Sequence, residues 1–202
     1  MNLFLRAKHW QIFLLTFGLP FVFQVIMMVD IFSNLMAKND PTMIFGYFKF
    51  FPIMLVLYVG TLFGWQWSVA IGLQKKIPVG INMKVTRFKI FFFIPLVYIT
   101  LIAVFVGFVM SGHIFRQGVP DPSIVYLFPI IFPVHLFSMF CIFYCIYFVA
   151  KTIKTVELQR EVAFSDFMAE FFLVWFHFIG IWILQPKINK MAEENTPDPA
   201  VL

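Results

Sequence analysis

Four long apolar runs, at residues 10–32, 43–73, 88–110 and 124–150, dominate this chain. About 20 such residues in a helix match the hydrocarbon thickness of a bilayer, whereas a helix on a water-soluble core needs only one apolar stripe. A chain of 202 residues has no soluble core large enough to bury four helices that are apolar all round. Composition points the same way: 61% of the residues are apolar and 12% charged, against roughly 45–50% and 25% in an ordinary soluble domain. The expected fold class is an all-α integral membrane protein, a single membrane domain over 1–202 with four transmembrane helices arranged as two hairpins.

The first run follows a basic head with Arg6, Lys8 and His9. A secretory leader has an apolar core of about 7–15 residues and then a small-residue cleavage site. The run at 10–32 is longer, and Phe32-Ser33-Asn34-Leu35-Met36 has no such site, so it reads as an anchor.

Orientation follows from the cations, which accumulate in cytoplasmic loops. The head carries Arg6 and Lys8; the segment 74–89 carries Lys75, Lys76, Lys84, Arg87 and Lys89; Lys151, Lys154 and Arg160 follow the fourth run. The opposite side has Lys38 and Arg116, each with an acid nearby. The N terminus and the middle loop are therefore expected in the cytoplasm, with the chain in a bacterial inner membrane. The net charge of +5 is then a consequence of topology, which argues against a nucleic-acid partner.

The two loops opposite share a phrase, Asp40-Pro41-Thr42 and Asp121-Pro122-Ser123, each followed at the same distance by Phe-Pro, at Phe51-Pro52 and Phe132-Pro133. Such spacing suits a duplicated helical hairpin, 1–80 and 81–154, although Asp-Pro is also a good helix start in its own right. Prolines at 20, 52, 95, 129 and 133 predict bends.

Polar residues inside the runs are the candidate sites. Asp30 and Lys49 fall near the same surface, where a structural ion pair is the favoured arrangement, because an isolated charge in lipid costs about 2.5–3.5 kcal/mol. Snorkelling of the lysine and a substrate role are the alternatives. Gln24, Gln66 and His135 interrupt apolar stretches and suit hydrogen bonds between helices. His135 beside Pro129 and Pro133 is also a candidate proton site. Cys141 and Cys145, four residues apart, read as packing residues.

The segment 155–190 is different. Apolar and charged residues alternate at helical spacing over 155–172, which predicts an amphipathic helix at the cytoplasmic interface. The apolar stretch that follows, 171–184, is short for a crossing, and Lys187 and Lys190 beyond it would lie on the wrong side. A re-entrant or interfacial segment is expected, with a fifth span as the alternative, and 191–202 as a disordered tail. Asp166, Glu170 and His177 fall on one face of a continuous helix; they are either a proton or cation site, or headgroup-level packing.

The stretch Trp175-Phe176, Ile179-Gly180-Ile181-Trp182 and Gln185-Pro186-Lys187-Ile188-Asn189 resembles the ending of a group of small, uncharacterised bacterial polytopic membrane proteins, W-F-F-P-I-G-I-W-x-x-Q-P-[RK]-I-N. The resemblance covers the last third of the chain and implies no activity. Phe178 stands where that pattern has Pro, which leaves Gly180 as the residue able to bend.

The chain has no H-E-x-x-H, no G-x-S-x-G and no paired carboxylates within the runs, so neither an enzyme nor a cofactor is expected. The favoured function is a non-enzymatic accessory or scaffold subunit of a membrane assembly, with the lipid bilayer and either a membrane-protein partner or further copies of itself as partners. A small transporter or channel, built from the tandem hairpins and oligomeric, is the alternative.

Overall fold

The computed structural model describes residues 3–38, 51–108, 115–116, 119–120, 126 and 128–193. Helices α1 (Leu3–Arg6), α2 (His9–Phe13) and α3 (Leu19–Lys38) come first, with a π-helical turn over Leu14–Gly18 joining the last two. Then follow α4 (Phe51–Gly72) with a 3-10 turn at Leu73–Lys76, α5 (Val85–Phe108), α6 (Phe128–Leu158), α7 (Phe164–Trp175) and α8 (His177–Glu193). A two-residue antiparallel pair joins β1 (Phe115–Arg116) to β2 (Val119–Pro120). The two Asp-Pro phrases, at 40–42 and 121–123, lie outside the described residues.

Among the described residues, four helical stretches are long and apolar enough to cross a membrane: His9–Asn34, Ile53–Lys76, Val85–Gly107 and Phe128–Leu158. The last extends beyond residue 150, where the apolar run ends, because its inner face stays buried through Thr152, Ile153, Thr155 and Val156. The two threonine hydroxyls donate back to the carbonyls of Phe148 and Lys151 at 2.8 Å, so neither is left unpaired inside the protein.

Of the four, Ile53–Lys76 is the central one, with 44% of its most apolar window buried against 11% for His9–Asn34 and for Val85–Gly107. Its inner face explains this. Gly64, Ser68 and Gly72 recur every four residues, a stripe of small side chains that lets another element come close, while Gly60, one turn earlier, is exposed. The Phe4 ring lies on Gly64 and the Leu5 side chain on Gly72, so the short α1 rests in that groove. On other faces Phe88 of α5 stacks on Phe148 of α6, ring centres 4.8 Å apart, and Phe91 meets Tyr144 edge-on at 4.7 Å.

The buried core gathers at the end of the bundle that carries the cations: Ile12, Trp65, Leu73, Phe88, Val149, Ile153, Phe167, Ile181 and Ile188 are buried together. Toward the other end the helices turn apolar side chains outward, among them Phe21, Ile26, Val29, Val56, Leu101, Val104, Ile130 and Leu136.

The single amphipathic helix expected over 155–172 is two elements. Helix α6 runs to Leu158, and Gln159 then adopts a left-handed backbone, φ 51°. Its N–H bonds to the Thr155 carbonyl at 3.0 Å, and its side-chain amide donates to the Val156 carbonyl at 2.7 Å. Both bonds satisfy carbonyls left open at the end of α6, the usual work of a helix C-cap. Helix α7 restarts at Phe164, where the Asp166 carboxylate accepts the Ala163 N–H at 2.9 Å, closing its first turn.

A second break, at Phe176 with φ −83° and ψ 56°, separates α7 from α8. The chain turns back there. Glu157 and Gln159, before α7, line the same cavity as Lys187 and Lys190, late in α8, so the α7–α8 segment starts and finishes at the basic end. Gly180 makes the turn sterically feasible: any Cβ there would run into the Leu173 carbonyl oxygen.

Candidate functional site

Two polar assemblies occupy the basic end. The first is an ion-pair network spread over three helices. Lys154 of α6 lies 3.0 Å from Glu157, one turn on, and 3.1 Å from Glu170 of α7. Lys187 of α8 lies 3.0 Å from Glu157 and 3.6 Å from Glu170. Glu170 is the buried member, its side chain 5% exposed. A carboxylate taken out of water needs a cation beside it, and Lys154 reaches it from the last turns of α6, where a positive charge also offsets the helix C-terminal partial charge. Two cations against two anions leave the network neutral and tie α6, α7 and α8 together.

The second assembly centres on Gln185, which is fully buried. Its carbonyl oxygen accepts the Trp65 indole N–H at 2.7 Å. Its amide nitrogen lies 2.7 Å from the Phe4 carbonyl, 2.8 Å from the Ala7 carbonyl and 2.7 Å from Asn189 Oδ1. Two protons are shared among these three acceptors. Asn189, one turn later, donates to the Ala7 carbonyl at 3.1 Å. The chain breaks between α1 and α2 here, which frees carbonyls that the amides of Gln185 and Asn189 satisfy. Around them His9 and Phe13 pack on Trp182, ring centres 4.8 and 5.3 Å apart.

The sequence candidates do not gather into one site. Asp30 accepts from the Asn34 amide at 3.0 Å, while Lys49 lies outside the described residues, and so does the proposed pair. His135 faces outward on α6, its Nδ1 3.0 Å from the Tyr98 hydroxyl of α5. Gln24 is exposed on α3; Gln66 is buried, and its Oε1 has no hydrogen-bond partner among the described residues.

The shared face of Asp166, Glu170 and His177 does not exist, because the helix it required ends at Phe176. Asp166 turns instead to Arg160, with two contacts of 3.1 Å. Those hydrogen bonds, with the Ala163 N–H, hold its carboxyl below the usual range, and the same bond raises the Arg160 guanidinium. Glu170 belongs to the network above. His177 opens α8 against Trp65 (ring centres 4.7 Å) and Phe17 (6.2 Å). Neither of its ring nitrogens has a hydrogen-bond partner among the described residues.

Cys141 and Cys145 are buried free thiols. Among the described residues no three His, Cys, Asp or Glu side chains cluster closely enough to hold a metal ion. The pairing of Trp65 with Gln185, between residues 120 apart, has no local signature. The arrangement can fix one helical element upon another, with Glu170 Oε1 held by Lys154 and Lys187 while its buried Oε2 has no hydrogen-bond partner among the described residues. Comparison of the chain with protein-family models, with curated proteins and with solved structures gives no match.

Proposed function

We propose that this protein is a non-enzymatic accessory or scaffold subunit of a bacterial inner-membrane assembly, with its N terminus and the 74–89 loop in the cytoplasm and the α7–α8 segment dipping into the bilayer and returning. One observation carries the reading: among the described residues, three of the polar side chains within or beside the apolar helices end on three separate neighbours. Gln185 holds Trp65, Glu170 holds Lys154, and His135 meets Tyr98. A transport path needs such groups to converge along one route. The apolar side chains turned outward over α3, α5 and α6 suit lipid, and they suit the helices of a partner equally well.

Affinity purification from native membranes followed by mass spectrometry tests the role. A membrane-protein companion in near-equal amount is the expected result. Recovery as a pure homo-oligomer that moves a solute across reconstituted vesicles would replace this reading with the transporter. The orientation has its own test: a Cys introduced at Arg87 stays unlabelled when intact cells meet a membrane-impermeant thiol reagent, and labelling from outside overturns it.

A further inference from the structure

A cavity of about 670 Å³ opens at the basic end, where the turn after α4, the end of α6 and the last turns of α8 meet. Four lysines line it, Lys75, Lys76, Lys187 and Lys190, against one carboxylate, Glu157. Their duties differ. Lys187 is engaged by Glu157 and Glu170, and the Lys76 ammonium donates to the Met191 carbonyl. Lys75 and Lys190 are exposed, and among the described residues neither enters an ion pair.

Lysines at such a place have an ordinary structural use, because three helix C-termini meet here and cations offset their carbonyls. Magnitudes separate the two uses. Each C-terminus presents about −0.5 of a charge, about −1.5 together, whereas four ammonium groups less Glu157 leave a surplus of three positive charges. A surplus of about 1.5 positive charges therefore survives the dipole correction, enough to hold one monoanion. The walls are mixed: Ile77, Pro78 and Val79 form an apolar side next to the lysines, and Val79 is exposed. The cavity also sits directly at the end of the apolar stretch Ile53–Lys76, the level at which headgroups lie if that helix crosses a bilayer.

We propose that this cavity binds the phosphate headgroup of an anionic phospholipid, with Lys75 and Lys190 as the cations that hold the phosphodiester and the Ile77-Pro78-Val79 wall against the glycerol and upper acyl chain. Basic pockets beside transmembrane helices on the cytoplasmic side are suited to such headgroups. The inference rests on the membrane reading above and not on the accessory role.

The test uses the full chain in nanodiscs of mixed phosphatidylcholine and phosphatidylglycerol, with the lipids that remain bound counted by native mass spectrometry. The unaltered protein retains phosphatidylglycerol in preference to phosphatidylcholine. Lys75→Gln with Lys190→Gln removes two cations that enter no ion pair among the described residues, and lowers that preference about tenfold or more. Lys84→Gln with Lys89→Gln, cations outside the cavity, leaves it unchanged. Equal losses in the two double variants overturn the proposal, since attraction would then be a property of the whole basic end.

A second arm needs no variant. Amine-reactive labelling of Lys75 and Lys190, read by peptide mass spectrometry, is slowed when phosphatidylglycerol is added to the detergent-solubilised protein and not by millimolar inorganic phosphate. Protection by inorganic phosphate without protection by the lipid overturns the lipid as source. Failure of the membrane reading shows itself differently, as recovery of the protein from cells in the soluble fraction.

Discussion

The indole N–H of Trp65 donates to the side-chain carbonyl of Gln185 over 2.7 Å, in the buried centre of the basic end. The same Gln185 amide holds the carbonyls of Phe4 and Ala7. One side chain thus joins α4, the N-terminal break and α8. Gln185→Leu leaves the Trp65 N–H and the Phe4 carbonyl without the partners described above, each a loss of about 1–3 kcal/mol, while the Ala7 carbonyl keeps the Asn189 amide. A drop of roughly 3 kcal/mol in unfolding free energy in detergent is expected from these losses together. Trp65→Phe removes only one donor and is milder. In a double-mutant cycle the two changes couple; additivity would show that the bond does not hold the elements together.

The ion-pair network makes an asymmetric prediction. Glu170 is buried and its cations are partly exposed, so removing the nearer cation, Lys154, harms more than removing Lys154 and Glu170 together. Lys154→Met leaves the buried carboxylate with only the more distant and more exposed Lys187, at a cost on the order of 3 kcal/mol. Lys154→Met combined with Glu170→Leu recovers most of that loss. Lys187→Met, at a side chain 38% exposed, costs at most about 1 kcal/mol, because solvent screens it. Thermal unfolding of the four proteins in one detergent checks the order, and a Lys187 change as harmful as the Lys154 change would contradict it.

His177 tests whether a buried polar ring serves a purpose in packing alone. Its ring lies edge-on against Trp65, and its nitrogens are without partners among the described residues. His177→Phe keeps the aromatic volume and removes two desolvated polar atoms, so stability stays level or rises by up to about 1 kcal/mol. A marked fall in stability would reveal a hydrogen bond that the ring makes through a group outside the described residues.

Much of this architecture is written in contiguous sequence. The four apolar helices follow from hydropathy, because apolar composition over about 20 residues is a property of a single stretch. The spacing Gly60, Gly64, Ser68, Gly72 is equally local, and a reading by hydropathy passes over it. The breaks are harder. Gln159 takes a left-handed backbone that glycine usually supplies, and Phe176 ends α7 without a proline, so helical periodicity carries Asp166, Glu170 and His177 onto one face that the fold divides. Gly180 signals that turn only through its missing Cβ. The Gln185 assembly joins residues 4, 7, 65, 185 and 189, and no window along the chain contains them.

Acid should loosen the start of α7. The Asp166 carboxyl is lowered by its hydrogen bonds to Arg160 and then by the Ala163 N–H. A depressed folded value means that the contribution is complete above the unfolded value of about 3.9 and disappears as the pH falls through the lower folded value. Hydrogen exchange of amides in the first turn of α7 should therefore quicken, relative to intrinsic rates, below about pH 4. Asp166→Asn should abolish that pH response. A response that persists in the variant would assign it to another carboxylate.

Gly180 offers the sharpest steric test. Its α-carbon passes so close to the Leu173 carbonyl that Gly180→Ala forces α7 and α8 apart, whereas Gly60 has nothing within 4 Å of an added Cβ. Gly60→Ala should be neutral or slightly stabilising, since alanine is the better helix former by about 1 kcal/mol. Gly180→Ala should cost upward of about 3 kcal/mol, at the severe end of overpacking, because backbone rather than a movable side chain stands in the way. The damage should spread to the ion-pair network, for the turn sets the distance between Glu170 and Lys187. A double-mutant cycle between Gly180→Ala and Lys187→Met, read by thermal unfolding in one detergent, checks this: the two changes couple if the turn holds Lys187 against Glu170, and additivity would show that the network does not depend on the missing Cβ.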